Sequence, residues 1–145
     1  MKKKIVYIGL SLDIIHHGHI NLIKSASNYG ELIVGLITDK AISSNKRLPL
    51  LDYESRKKIL ENIKGVKKIV PQKEWSYYFN ILKYKPDIMV HGDDWNLSED
   101  GRKLKSEALK ALKKVDAKLI EIPHTKNISS SNLQKTIFKD GLVSS

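Results

Sequence analysis

The sequence predicts an α/β fold: a single Rossmann-like domain with five parallel strands in the order 3-2-1-4-5 and helices on both faces. Three observations predict it. Short runs rich in Ile and Val alternate with longer amphipathic segments, giving five strand-helix units. The runs are apolar at successive positions, as in strands covered on both sides by helices. All five histidines, His16, His17, His19, His91 and His124, fall at or just after the ends of the first, fourth and fifth runs. That is where an open parallel sheet places its site, and the right-handed crossover rule supplies the strand order.

The first strand is expected over 5–9, followed by a short loop and a helix over 18–29 in which Ile20, Ile23 and Ala26 keep helical spacing. The second strand takes 32–38. Asp52, followed by Glu54 and Ser55, opens a helix over 53–63. A third strand over 67–70 leads to a helix over 75–84, which Pro86 separates from the fourth strand, 87–91. A helix over 103–114, a fifth strand over 117–122 and a last helix over 130–138 complete one domain, 1–140, with a tail over 141–145. A chain of 145 residues buries about 68% of its unfolded surface, enough for a core without staples.

The 26 Lys and Arg against 16 Asp and Glu give a net charge of +10, which admits nucleic acid, anionic lipid and phosphorylated metabolites as partners. The lysines are dispersed, and RNA-recognition aromatic signatures, zinc spacing and a glycine-rich basic tail are missing, so no specific nucleic acid is expected. The absence of cysteine excludes a disulfide scaffold and a thiolate nucleophile, and fits a reducing compartment. The longest uncharged stretch, 14–23, is far short of a membrane span, so no membrane insertion is expected. Met1-Lys2-Lys3-Lys4 runs straight into an apolar strand without a signal-peptide pattern, and the expected location is the cytoplasm.

Three segments carry chemistry. His16-His17-Gly18-His19 opens a helix, and with His16 and His19 three apart both can face one anion where unpaired N–H groups and the helix dipole favour phosphate. Surface histidines at a helix start and a zinc site are the competing readings, the latter without a nearby acidic pair. Thr125-Lys126-Asn127-Ile128-Ser129-Ser130-Ser131 follows the fifth strand; its hydroxyls either cap the last helix or donate to a second phosphate. His91-Gly92-Asp93-Asp94-Trp95 ends the fourth strand, and its carboxylates suit magnesium, a base or ribose, or a turn. Trp95 and Trp75 read as substrate walls or as core, and Lys46, Arg47 and Arg56 as ligands or solvated charges. Gly9-Leu10-Ser11-Leu12-Asp13 lacks the glycines of a dinucleotide loop, no Gly-Lys-Ser/Thr occurs, and the serines lack a nucleophile elbow.

Together these segments resemble the glycerol-3-phosphate cytidylyltransferase family and the similar nucleotidyltransferase domain found beside phosphoenolpyruvate phosphomutase. His16-His17-Gly18-His19 resembles the family's His-x-Gly-His, Tyr53-Glu54-Ser55-Arg56 its Tyr-Glu-x-Arg, His91-Gly92-Asp93-Asp94-Trp95 its Gly-Asp-Asp-Trp, and 124–130 its Arg-Thr-Glu-Gly-Ile-Ser-Thr. The likeness runs from Ile5 to about Leu133. His124, Lys126, Asn127 and Ser130 stand where the family has Arg, Glu, Gly and Thr, and Leu10-Ser11-Leu12 where it has Gly-Thr-Phe. Histidine for arginine loses a permanent bidentate donor, which implies weaker triphosphate or acceptor binding unless Lys126 substitutes, or a different acceptor.

The resemblance implies transfer of CMP from CTP, with magnesium, to a small phosphorylated alcohol or phosphonate, with release of pyrophosphate. An adenylyltransferase using ATP and a catalytically impaired nucleotide-binding or regulatory protein are the alternatives. It implies catalytic roles for His16, His19, Lys46 and Ser129. It implies nucleotide contacts from Gly9, Ser11, Leu12, His16, His19, Lys46, Asp94, Thr125, Ile128, Ser129 and Ser130. For the acceptor it implies Arg56, Trp75, Asp94, Trp95, His124 and Lys126, with no metal held by the protein alone and a homodimer as the assembly.

Overall fold

The central strand β1 (Ile5–Leu10) is built from six residues, five of them buried, and hydrogen-bonds to β2 (Glu31–Ile37) on one side and β4 (Ile88–Gly92) on the other. β3 (Val66–Gln72) and β5 (Lys118–Ile122) form the edges, giving the parallel order β3-β2-β1-β4-β5. The computed structural model describes residues 3–139 apart from Lys46 and Leu48, so the expected tail and the expected ligand Lys46 lie outside the described residues.

Side chains of successive strand residues point to opposite faces, and two cores result. Val6, Ile8 and Leu10 of β1 join Val34 of β2, Val90 of β4, Ile23 and Ala26 of α1 (His17–Ser27) and Leu60 of α3 (Tyr53–Glu61). Tyr7 and Met89 face the other way. They meet Ile81 of α4 (Tyr78–Tyr84), Trp95, and Ala108, Ala111 and Leu112 of α5 (Glu99–Lys114). Gly35 sits beneath this second core because a Cβ there would lie 1.8 Å from the Tyr7 hydroxyl oxygen.

Five expected helices and five expected strands are present, with shifted ends. The expected strand 67–70 continues to Gln72 through Pro71, which an edge strand tolerates because proline lacks only the N–H a missing neighbour would use. α5 begins at Glu99 instead of 103, since Ser98 accepts the Gly101 N–H at 3.0 Å and Glu99 and Asp100 favour the first turn. A short α2 (Asp39–Ser43), capped by Thr38, and a 3-10 turn (Asp93–Leu97) join the expected elements. α6 (Ser130–Lys139) follows β5. No helix among the described residues is long and apolar enough to cross a membrane.

Candidate active site

A cavity of about 310 Å³ opens at the carboxyl ends of β1, β4 and β5, between the starts of α1 and α6. Its volume falls in the range of small-molecule sites. On the α1 side, His16 is the N-cap: its Nδ1 accepts the Gly18 N–H at 3.0 Å, while Nδ1 of His19 accepts the His16 N–H at 3.1 Å. An Nδ1 that accepts leaves the neutral ring's proton on Nε2, so both imidazoles offer an N–H donor. The ring centroids are 4.0 Å apart. Burial, then the neighbouring His17, lowers the His16 pKa; burial, then His16, lowers that of His19 to about 4. This wall therefore meets an anion with neutral ring donors and the N-terminal N–H groups of α1.

On the α6 side, Ser129 Oγ accepts the Asn132 N–H at 3.0 Å, and the hydroxyl keeps its own proton to donate. The Ser130 hydroxyl is committed to the Ile14 carbonyl at 2.5 Å. Asn21 donates to Thr125 Oγ1 at 3.0 Å, tying the loop before α6 to α1.

The third wall is aromatic. The His91 ring stacks on Trp95 at 3.7 Å and 9°. Its Nδ1 lies 2.7 Å from the Gly92 carbonyl oxygen, so Nδ1 carries a proton and Nε2 accepts from the Tyr77 hydroxyl at 3.1 Å. Burial raises the Tyr77 pKa, which keeps that hydroxyl protonated, and burial lowers that of His91. Gly9 gives this wall room, because a Cβ would stand 2.5 Å from the Tyr77 ring. Next to this wall, just past the end of β5, His124 places both its backbone N–H and its ring Nδ1 on Asp93 Oδ1, at 3.0 and 2.5 Å. These bonds hold the Asp93 carboxyl below its ordinary range.

Among the described residues, no group of three or more His, Asp or Glu side chains is placed to hold a metal ion. Asp94 is the single described carboxylate on the cavity wall. This donor set does not fit a divalent ion held by the protein alone.

The cytidylyltransferase-like family model matches residues 7–136. The chain belongs to the cytidylyltransferase-like family. It is 36% identical over 135 residues to a glycerol-3-phosphate cytidylyltransferase of Bacillus spizizenii, covering 92% of this chain and 95% of that one. It is 35% identical over 142 residues to an FAD synthase of Thermococcus sibiricus, covering 95% and 93%. The crystal structure of a lipopolysaccharide core biosynthesis protein from Thermoplasma volcanium shares the fold, with a TM-score of 0.72 and 24% identity over 86% of this chain and 100% of that one.

In this cytidylyltransferase-like chain, Gly9, Ser11, His16, His19, Trp75, Asp94, His124, Thr125, Ile128, Ser129 and Ser130 line the one cavity. Four expected contacts lie elsewhere. Arg56, expected at the acceptor, is fully buried: it donates to the carbonyls of Leu51, Ser11 and Ile37 at 2.9, 2.7 and 2.7 Å and to Asp39 at 2.6 Å. A guanidinium fits such converging oxygens, so Arg56 organises the loops behind the site. Trp95 is also buried; it donates Nε1–H to Glu121 at 2.9 Å and backs the wall through His91. Leu12, at φ 57°, turns its side chain into the core, and Lys126 is exposed outside the cavity lining.

Asn21 and Asp13 escaped the sequence reading, whereas Tyr77, which reads from the sequence as a packing residue, is indeed buried in the second core and in addition meets His91. Buried Asp13 accepts the N–H groups of Leu50 and Leu51 at 2.9 and 3.0 Å and a 3.2 Å contact from Arg47, whose Nε–H reaches Gln134 of α6 at 3.0 Å. The β1-α1 loop, the 47–51 loop and α6 are thus clasped together. An acidic residue just past a central parallel strand was the available signal.

Proposed function

We propose that this protein transfers CMP from CTP to a small phosphorylated alcohol, of the glycerol 3-phosphate type, or to a phosphonate, releasing pyrophosphate. The observation that carries this reading is the convergence of two helix starts on one cavity, with His16 and His19 at one and Ser129 at the other. The likeness to the glycerol-3-phosphate cytidylyltransferase supports the nucleotide and the acceptor class.

In this reading the triphosphate lies between the two helix starts. The acceptor oxygen attacks the α-phosphorus in line with the departing pyrophosphate, and negative charge grows on the α-phosphate oxygens. His19 and His16 donate Nε2–H to those oxygens, and Ser129 donates its hydroxyl from the opposite side. Gly9 and Ser11 border the nucleotide at the end of β1, while Asp94 and Trp75 bound the base and acceptor. Magnesium carried by the nucleotide substrate would neutralise part of the triphosphate charge. CTP and the acceptor are the small-molecule partners, and a second copy of the chain is the expected assembly partner.

The likeness to an FAD synthase favours one second reading, transfer from ATP, because FAD contains an adenylyl group. Pyrophosphate release from CTP and from ATP, each with glycerol 3-phosphate, phosphoethanolamine and 2-aminoethylphosphonate, tests both. Release with CTP and one of these acceptors is expected; release with ATP alone makes it an adenylyltransferase, and nucleotide binding without release makes it an impaired relative.

A further inference from the structure

The four histidines on the cavity wall are wired in three ways. His16 and His19 accept backbone N–H groups at Nδ1 and so present Nε2–H donors. His91 has both ring nitrogens occupied, by Gly92 and Tyr77. His124 differs from all three. Its Nδ1 meets the Asp93 carboxylate, which also takes its backbone N–H, so the ring proton is held at Nδ1 and the neutral ring keeps its lone pair on Nε2. A histidine that lines a cavity and has one ring nitrogen held by a carboxylate is the arrangement of a base with its orienting group.

The cavity gives such a base a task. A doubly charged acceptor phosphate approaching a triphosphate there brings like charges together. An acceptor that arrives with one proton carries one negative charge less, and loses the proton only as it attacks.

We propose that His124 is a catalytic base and Asp93 its positioning residue, serving an acceptor whose nucleophilic oxygen arrives protonated: a phosphate or, more strongly, a phosphonate monoanion. This deepens and rests on the nucleotidyl-transfer reading. The acceptor O–H proton passes to Nε2 of His124, and the freed oxygen pair forms the new bond to the α-phosphorus. The bond from the α-phosphorus to the bridging oxygen breaks, and its electron pair leaves with pyrophosphate. The imidazolium then returns its proton to solvent. A phosphonate holds its second proton to higher pH than a phosphate ester, because carbon withdraws less charge than the ester oxygen, so it gains most from the base.

The test compares glycerol 3-phosphate with its isosteric phosphonate in single-turnover transfer from saturating CTP between pH 6 and 9. The described ionisable groups sharing this region are Asp93, Asp94, His16, His19, His91 and Tyr77, with Lys126 on the loop of His124 itself, so variants assign the titration. His124→Gln is expected to lose about 10²-fold at pH 6.5, more with the phosphonate, with a deficit that shrinks as rising pH deprotonates the acceptor. His124→Arg restores charge without a base and should keep the low-pH loss. Asp93→Asn should displace the pH profile, not merely scale it. A His124→Arg enzyme as fast as wild type at every pH, or a pH-independent deficit in His124→Gln, overturns the proposal. Should no nucleotide support transfer, the transfer reading fails, and nitrogen NMR of the His124 ring decides the pair. Nδ1–H in wild type that is lost in Asp93→Asn supports the pairing, and an Nε2–H ring in wild type overturns it.

Discussion

Nδ1 of His19 accepts the backbone N–H of His16 at 3.1 Å, so the residue that ends the first turn of α1 caps the residue that begins it. The bond fixes which nitrogen of His19 carries the proton and where the ring points. In the proposed reaction the outward Nε2–H gains strength as charge builds on the α-phosphate, which is a transition-state contact more than a ground-state one.

His19→Ala is therefore expected to slow single-turnover transfer by about 10²-fold, near 2.7 kcal/mol, with a smaller change in CTP affinity. Rapid-quench measurement at saturating substrates checks this. An unchanged rate removes His19 from the chemistry.

The same ring makes stability depend on pH. With His19 lowered to about 4 in the folded protein and ordinary in the unfolded chain, the unfolded state binds the extra proton between roughly pH 6.5 and 4. Stability from this group is whole above pH 6.5 and is lost as the pH falls towards 4. The loss is on the order of 3 kcal/mol, with His16 and His91, also lowered, adding in the same direction. Urea unfolding at pH 7.5 and pH 4.5 is expected to show it, with a shallower slope in His19→Gln. Equal midpoints at the two pH values would contradict the burial of these rings.

Arg56 holds three carbonyls and Asp39 from a fully buried position. Arg56→Ala leaves those oxygens without donors and is expected to cost about 3 kcal/mol or more, and Arg56→Lys, with one point of charge for a fork, nearly as much. Chemical denaturation measures both. A stable Arg56→Ala protein with only a raised acceptor KM would return Arg56 to substrate binding.

Ser129 and Ser130 should separate. Ser129→Ala removes the cap on Asn132 and the donor facing the cavity, so about 1 kcal/mol of stability and part of the transfer rate fall together. Ser130→Ala removes the bond to Ile14 and should lower thermal stability while leaving the saturated rate close to wild type. Differential scanning fluorimetry beside single-turnover rates distinguishes the two patterns, and a rate loss confined to Ser130→Ala would reverse them.

The sheet was legible because β-branched runs, crossovers and histidines at strand ends all point to one topology, and local pattern agrees with global fold. Short and tertiary features were not. α2 has five residues, too few to display a helical period, and Pro71 disguised the last residues of an edge strand. At the site, His16, His19 and Ser129 could be placed because helix starts announce themselves by composition. Arg56 and Trp95 could not, since a cation in a motif looks the same whether it meets a substrate or a set of backbone carbonyls contributed by residues 5, 19 and 45 positions away. The Asp93-His124 contact spans 31 positions and had no local signal.

The most direct test of nucleotidyl transfer follows the label from CTP marked at the α-phosphorus, with magnesium and the acceptor panel, in wild type and His19→Ala. The reading predicts that the label moves into a product in which CMP is joined to the acceptor's phosphate or phosphonate, in step with pyrophosphate release, and that His19→Ala slows both alike. Label that stays in CTP or emerges only as free CMP with every acceptor, from a protein that binds CTP, would contradict it.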